Sequence, residues 1–150
     1  MSMEDELEAD PQRLALEQAI QVLRPLRQHR QASAERQQRQ MQQTLASSRE
    51  RLAETRERLG SERQAQLARR EALAQQHVDR CLSLDEVELW HNQERAMLDR
   101  LAHMRQDIHR QGLAIEQQQH QLQVMQAQAK AAQRAVEKLS CLAEAINDEN

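Results

Sequence analysis

Few residues in this chain have both the type and the spacing to do chemistry. His77 and Cys81 stand four residues apart, which puts both on one face of a helix. Two such groups supply half of a tetrahedral zinc site, which needs four ligands. No second Cys/His pair accompanies them, and His103 and His109 are scattered, so a surface His beside a packed Cys is the plainer reading. No Ser-His-Asp order, Gly-rich phosphate loop or deeply placed carboxylate pair can be assembled, and a pair of long helices has no concave pocket to hold one. The residues therefore predict no catalytic, cofactor-binding or metal site, and the chain reads as a non-enzyme that needs no cofactor.

Two further features are candidates for binding. Residues 24–70 carry twelve basic residues against five acids, which suggests a nucleic-acid face. They lack interleaved aromatics, their Arg residues alternate with Glu, and residues 71–150 carry thirteen acids against eight basic groups. A solvated coiled-coil flank fits better than nucleic-acid binding. Trp90 is the one aromatic ring in the chain. It suits the end of a helical seam, and it equally suits a partner-facing anchor, because Trp is enriched in binding hot spots. Met97 and Met104 below it would add an adaptable surface.

The elements that position these residues follow from composition. Hydrophobic residues make up 39% of 150, Tyr and Phe are absent, and two Gly and two Pro are the only strong breakers. A core here must be built from Leu, Ile, Val, Met and Ala, and with Glu, Gln, Arg and Lys most of these are strong helix formers. No period-2 apolar run and no Asn-Gly or Asp-Gly turn nucleates a strand. The expected fold is all-α: two long helices in an antiparallel coiled-coil hairpin with its turn near residues 81–85. Net charge is −3, but residues 1–23 carry six acids against one Arg. The basic first arm and the acidic second arm attract each other if the chain folds back.

Residues 1–10 read as an acidic flexible tail, and Asp10-Pro11 as an N-cap followed by Pro at the first helical position. The first arm is expected over 11–81, with a kink or break near Pro25, where Pro removes a helical hydrogen bond at a cost of about 3 kcal/mol. Met41, Leu45, Leu52, Leu59, Leu67, Leu73 and Val78 form its apolar stripe. The hinge is expected at 82–86. Ser83-Leu84-Asp85-Glu86 is a capping box, and Leu82 with Val87 completes a hydrophobic staple.

The second arm, 87–146, carries a sustained heptad before a 147–150 tail. Seven-residue steps from Val87 reach Glu94, Leu101, Ile108, Ile115, Leu122, Ala129, Val136 and Ala143. Steps from Trp90 reach Met97, Met104, Gln111, Gln118, Met125, Ala132, Leu139 and Ile146. Fifteen of these eighteen positions are apolar, well past the three or four heptads that establish a coiled coil. Arms of this length would span about 95–105 Å at 1.5 Å per residue. An intermolecular coiled coil of straight chains is the competing architecture, and the capping box weighs against it. Cys81 and Cys141, sixty residues apart, would be kept from pairing by such a hairpin. The opening lacks the basic start and apolar run of a signal peptide, and no run approaches a membrane span. A reduced, cytoplasmic chain is expected.

At these residues the sequence resembles a known family. Val22-Leu23-Arg24, followed by Arg27 and Arg30, resembles the opening of the YscO/HrpO proteins of type III secretion. Leu84-Asp85-Glu86-Val87-Glu88-Leu89-Trp90-His91-Asn92-Gln93 is similar to that family's acidic, apolar, Trp, polar and Gln stretch after the hinge. The flagellar relative FliJ has a comparable Trp-x-x-Tyr-Gln, whose Tyr is absent here. The resemblance implies a non-enzymatic central stalk that links a hexameric secretion ATPase to the export gate of the inner membrane. It implies that Val22, Leu23, Arg24, Arg27 and Arg30 face the ATPase. It implies that Val87, Trp90 and Gln93 face the export-gate protein, and Met97, seven residues after Trp90, is counted with them as adaptable surface. Export chaperones are further implied partners; nucleic acid and membrane insertion are not. Two other functions remain open on the residues alone, an escort for secreted substrates and a structural coiled-coil dimer.

Overall fold

The computed structural model describes the backbone of residues 3–78 and 81–149 and the side chains of 11–78 and 81–149. It is all-α: α1, Met3–Gln76, and α2, Leu84–Asp148, pack against each other as a hairpin with its turn near residues 77–83. No strand occurs among the described residues.

The boundaries of α1 depart from expectation in three places. α1 starts at Met3, ahead of Asp10-Pro11, so Pro11 lies inside the helix; the Asp10 side chain is outside the described residues. Pro25 does not break α1. Its missing amide costs the bond to the Gln21 carbonyl, but both residues are exposed, so water can satisfy that carbonyl. The turns on either side are held by packing at Ile20 and Leu23 and by a hydrogen bond from Arg27. At its far end α1 stops at Gln76, not Cys81, after a last bond from the His77 amide to the Leu73 carbonyl. Val78, 75% exposed, buries too little to reward another turn. α2, expected over 87–146, starts at Leu84 directly after the Ser83 cap and runs to Asp148. The Glu86 amide donates to Ser83 Oγ (3.3 Å), the Val87 amide to the Ser83 carbonyl (3.2 Å), and Asp85 and Glu86 occupy the positive first turn.

The packing divides into two units. The first comprises Met1–Gln43 and Gln119–Asn150. Ile20, Leu139 and Ile146 form its core, with Leu23 and Ala143 packed beside them. Two arginines of α1 bond to backbone carbonyls of α2. Arg13 Nη2 donates to the Ile146 carbonyl (3.0 Å), one of the last four of the helix and so without an intrahelical partner. Arg27 Nη1 donates to the Ala135 carbonyl (2.8 Å).

The second unit is Thr44–Gln118. Leu45, Leu52, Leu101 and Ile115 are buried, and Leu101 is the most enclosed at 2% exposure. Arg70 pairs with Glu94 (2.8 Å) and Arg100 with Glu62 (2.8 Å). One pair runs from basic α1 to acidic α2, the other in reverse, so block charge does not dictate the partners. Polar residues also occupy the seam. Gln111 Nε2 donates to Thr55 Oγ1 (3.4 Å), and Thr55 Oγ1 donates to the Arg51 carbonyl (2.8 Å). Gln111 Oε1, Gln118 Oε1 and Glu62 Oε2 are buried without a hydrogen bond.

The α2 heptad is realised almost throughout: every position of both columns is buried or half-buried except Val87 and Trp90. The α1 stripe needs correcting. Seven-residue steps from Leu45 reach Leu52, Leu59, Gln66 and Leu73, so Leu67 stands one residue off the seam, about 100° round the helix. It is 61% exposed, and Val78 lies beyond the helix.

Two substitutions test this seam in urea unfolding followed by circular dichroism. Leu101→Ala is expected to cost about 3 kcal/mol. Gln118→Leu, which removes an unpaired buried oxygen and adds apolar surface, is expected to stabilise by about 1 kcal/mol. A destabilised Gln118→Leu protein would mean that the amide is satisfied and wanted there.

Candidate partner-binding surfaces

Beside the turn, within the second unit, the helices leave an open groove of about 790 Å³. Leu67 and Leu73 of α1 supply one wall; Val87, Leu89 and Trp90 of α2, with Leu82 before it, supply the other. The groove follows from local structure. Leu67 points off the seam, α1 ends at Gln76, and the Ser83 cap fixes where α2 begins, so Val87 and Trp90 are only part covered. Trp90 is 37% exposed. It therefore shares in the seam and also presents ring surface to whatever enters.

Around this apolar lining stand Arg70, Glu71, His77, Glu86 and Gln93. Arg70 is held by Glu94, whereas His77 is half-buried and its Nδ1 has no hydrogen-bond partner. Mixed polar groups around an apolar floor suit an amphipathic peptide segment more than a small charged metabolite. Val87, Trp90 and Gln93 line this groove together. Met97, half-buried, lines a smaller adjoining cleft of about 30 Å³ with Trp90 and Gln93.

The residues of the other proposed surface lie in the first unit and have unlike environments. Val22 is 70% exposed, and Arg24 and Arg30 are exposed. Leu23 packs against the Ile20, Leu139 and Ile146 core, and Arg27 is committed to the Ala135 carbonyl. The contiguous sequence motif thus splits into an outward set and a structural set, as helical geometry requires of neighbours turned 100° apart.

Leu67, Leu82 and Leu89 were not anticipated as site residues. Leu67 is recognisable in retrospect because it breaks the seven-residue step. Arg13 was also missed, and a basic side chain twelve residues before Pro25 gives no local hint that it bonds the end of the other helix.

His77 is half-buried and Cys81 exposed. Among the described residues, no group of three or more His, Cys, Asp or Glu is placed to hold a metal ion. Both cysteines are free and exposed. No helix among the described residues is long and apolar enough to cross a membrane. Comparison with family models, curated proteins and solved structures finds no match to this chain.

Because Trp90 is only part-enclosed, Trp90→Ala is expected to cost about 2 kcal/mol, under the Leu101→Ala cost. Urea unfolding of the two variants side by side checks this. Equal losses would make Trp90 an ordinary core residue and remove the groove as a binding surface.

Proposed function

We propose that this hairpin is a non-enzymatic stalk of a type III secretion apparatus, cytoplasmic and peripheral to the inner membrane, that links the export ATPase to the export gate. The observation that carries the reading is the Trp90 groove. An apolar, ring-bearing surface next to the turn of a two-helix hairpin is where the resemblance puts the gate-facing residues Val87, Trp90 and Gln93. The first unit, which contains both chain ends, bears the outward residues Val22, Arg24 and Arg30 that the resemblance assigns to the ATPase. A hairpin with separate surfaces in separate units is suited to coupling two partners.

A second reading, an escort for export substrates or their chaperones, draws on the same groove. Leucines, a half-exposed Trp and a neighbouring Met can accept varied apolar segments.

The test mixes the purified chain with the ATPase of its own secretion system and follows hexamer formation and ATP turnover. Both are expected to rise. Val22→Asp with Arg30→Glu is expected to abolish the rise while helical content stays unchanged. Leu23→Asp is unsuitable, because it would place a charge against the Ile20 and Leu139 core. Turnover and hexamerisation that stay flat at saturating chain would end the stalk reading. Trp90-dependent binding of export chaperones, with no ATPase response, would favour the escort.

A further inference from the structure

A second groove, of about 530 Å³, lies in the first unit. Four cations surround it, Arg27 and Arg30 from α1 and Arg134 and Lys138 from α2, over a floor that includes Ala131 and Ala135. No acid lines it. Among the described residues none of the four cations is in an ion pair, and only Arg27 is engaged, by its bond to the Ala135 carbonyl. The nearest acid in sequence, Glu137, accepts a bond from Gln133 Nε2 (3.1 Å) and lines not this groove but a neighbouring cleft, whose lining also includes Arg134 and Lys138.

Four like charges around one depression repel each other unless something negative joins them. The small alanine floor allows close approach and offers apolar contact, which a phosphate backbone would not use. Nor is there an aromatic ring in this unit on which a base could stack. We infer that this groove seats an acidic amphipathic helix of a partner protein, with its carboxylates on Arg30, Arg134 and Lys138 and its apolar stripe on the alanines. Because it shares Arg27 and Arg30 with the surface assigned above to the ATPase, the inference builds on that reading. It adds the chemistry of the partner and the α2 residues Arg134 and Lys138, which no motif had marked.

The probe is a synthetic helical peptide of about five turns, with Glu along one edge of a Leu stripe, titrated into the full-length chain and read by fluorescence anisotropy. Its Glu→Gln counterpart, a single-stranded oligonucleotide and phosphatidylglycerol vesicles are run beside it. The acidic peptide is expected to bind, and to weaken as salt rises. Arg134→Glu and Lys138→Glu should each weaken it by roughly tenfold, whereas Lys130→Glu, on an exposed part of α2 outside the groove, should leave it within about twofold. Circular dichroism confirms that each variant keeps its helices.

Equal binding of the Gln counterpart, equal loss with Lys130→Glu, or tighter binding of oligonucleotide or vesicles would each overturn the inference. So would a change in sedimentation of the free chain on charge reversal, which would make a second copy the occupant. The two proposals fail separately. An ATPase response without peptide binding sinks the groove and keeps the stalk, and peptide binding without an ATPase response does the reverse.

Discussion

Two helices can bury only the stripes they turn toward each other, and among the described residues no third element covers the rest. Leu101 is accordingly the most enclosed of the described side chains, and the buried residues in each unit are few, all of them Leu, Ile or Ala. Burial that sparse leaves little free energy to spare beyond the ordering cost of so many residues. It also leaves long flanks of each helix in solvent, so binding has to happen in shallow grooves beside the seam and not in a closed cavity.

Within that constraint the seam is not uniform. In the first unit Ile20, Leu139 and Ile146 pack together, and Arg13 and Arg27 reach across to carbonyls of α2. In the second unit apolar layers at Leu45, Leu52, Leu101 and Ile115 alternate with Gln111, Gln118, Thr55 and Glu62. Buried polar atoms left without partners cost stability, whereas the Gln111 amide nitrogen gains a partner across the seam in Thr55.

The same constraint produces two surfaces of opposite chemistry. Beside the turn, a capped α2 start and an early α1 stop leave Trp90, Val87 and Leu67 only part covered, and an apolar groove results. In the unit holding both chain ends, arginines and a lysine from both helices gather over alanines, and a cationic groove results. The apolar groove joins the seam positions Leu73, Val87 and Trp90 to Leu67 just off the seam, whereas the cations of the other groove lie off the seam yet close enough to the partner helix to share a depression.

Sequence alone determined the helical class, the start of α2 and the α2 seam. Ser83 and Glu86 are three residues apart, and the heptad from Val87 and Trp90 repeats over nine turns of the pattern, so local spacing carried the information. It failed where local rules were outweighed. Pro25 points to a kink or a break, and the break is absent, because packing at Ile20 and Leu23 and the Arg27 bond hold the helix through it. Leu67 looked like seam, yet a single residue of phase turned it into groove wall. Only tertiary structure could bring Arg134 and Lys138 beside Arg27 and Arg30, or Arg13 to the end of α2, because residues more than a hundred positions apart become neighbours through the antiparallel register of two helices. That register is a property of the pair, and neither helix carries it alone.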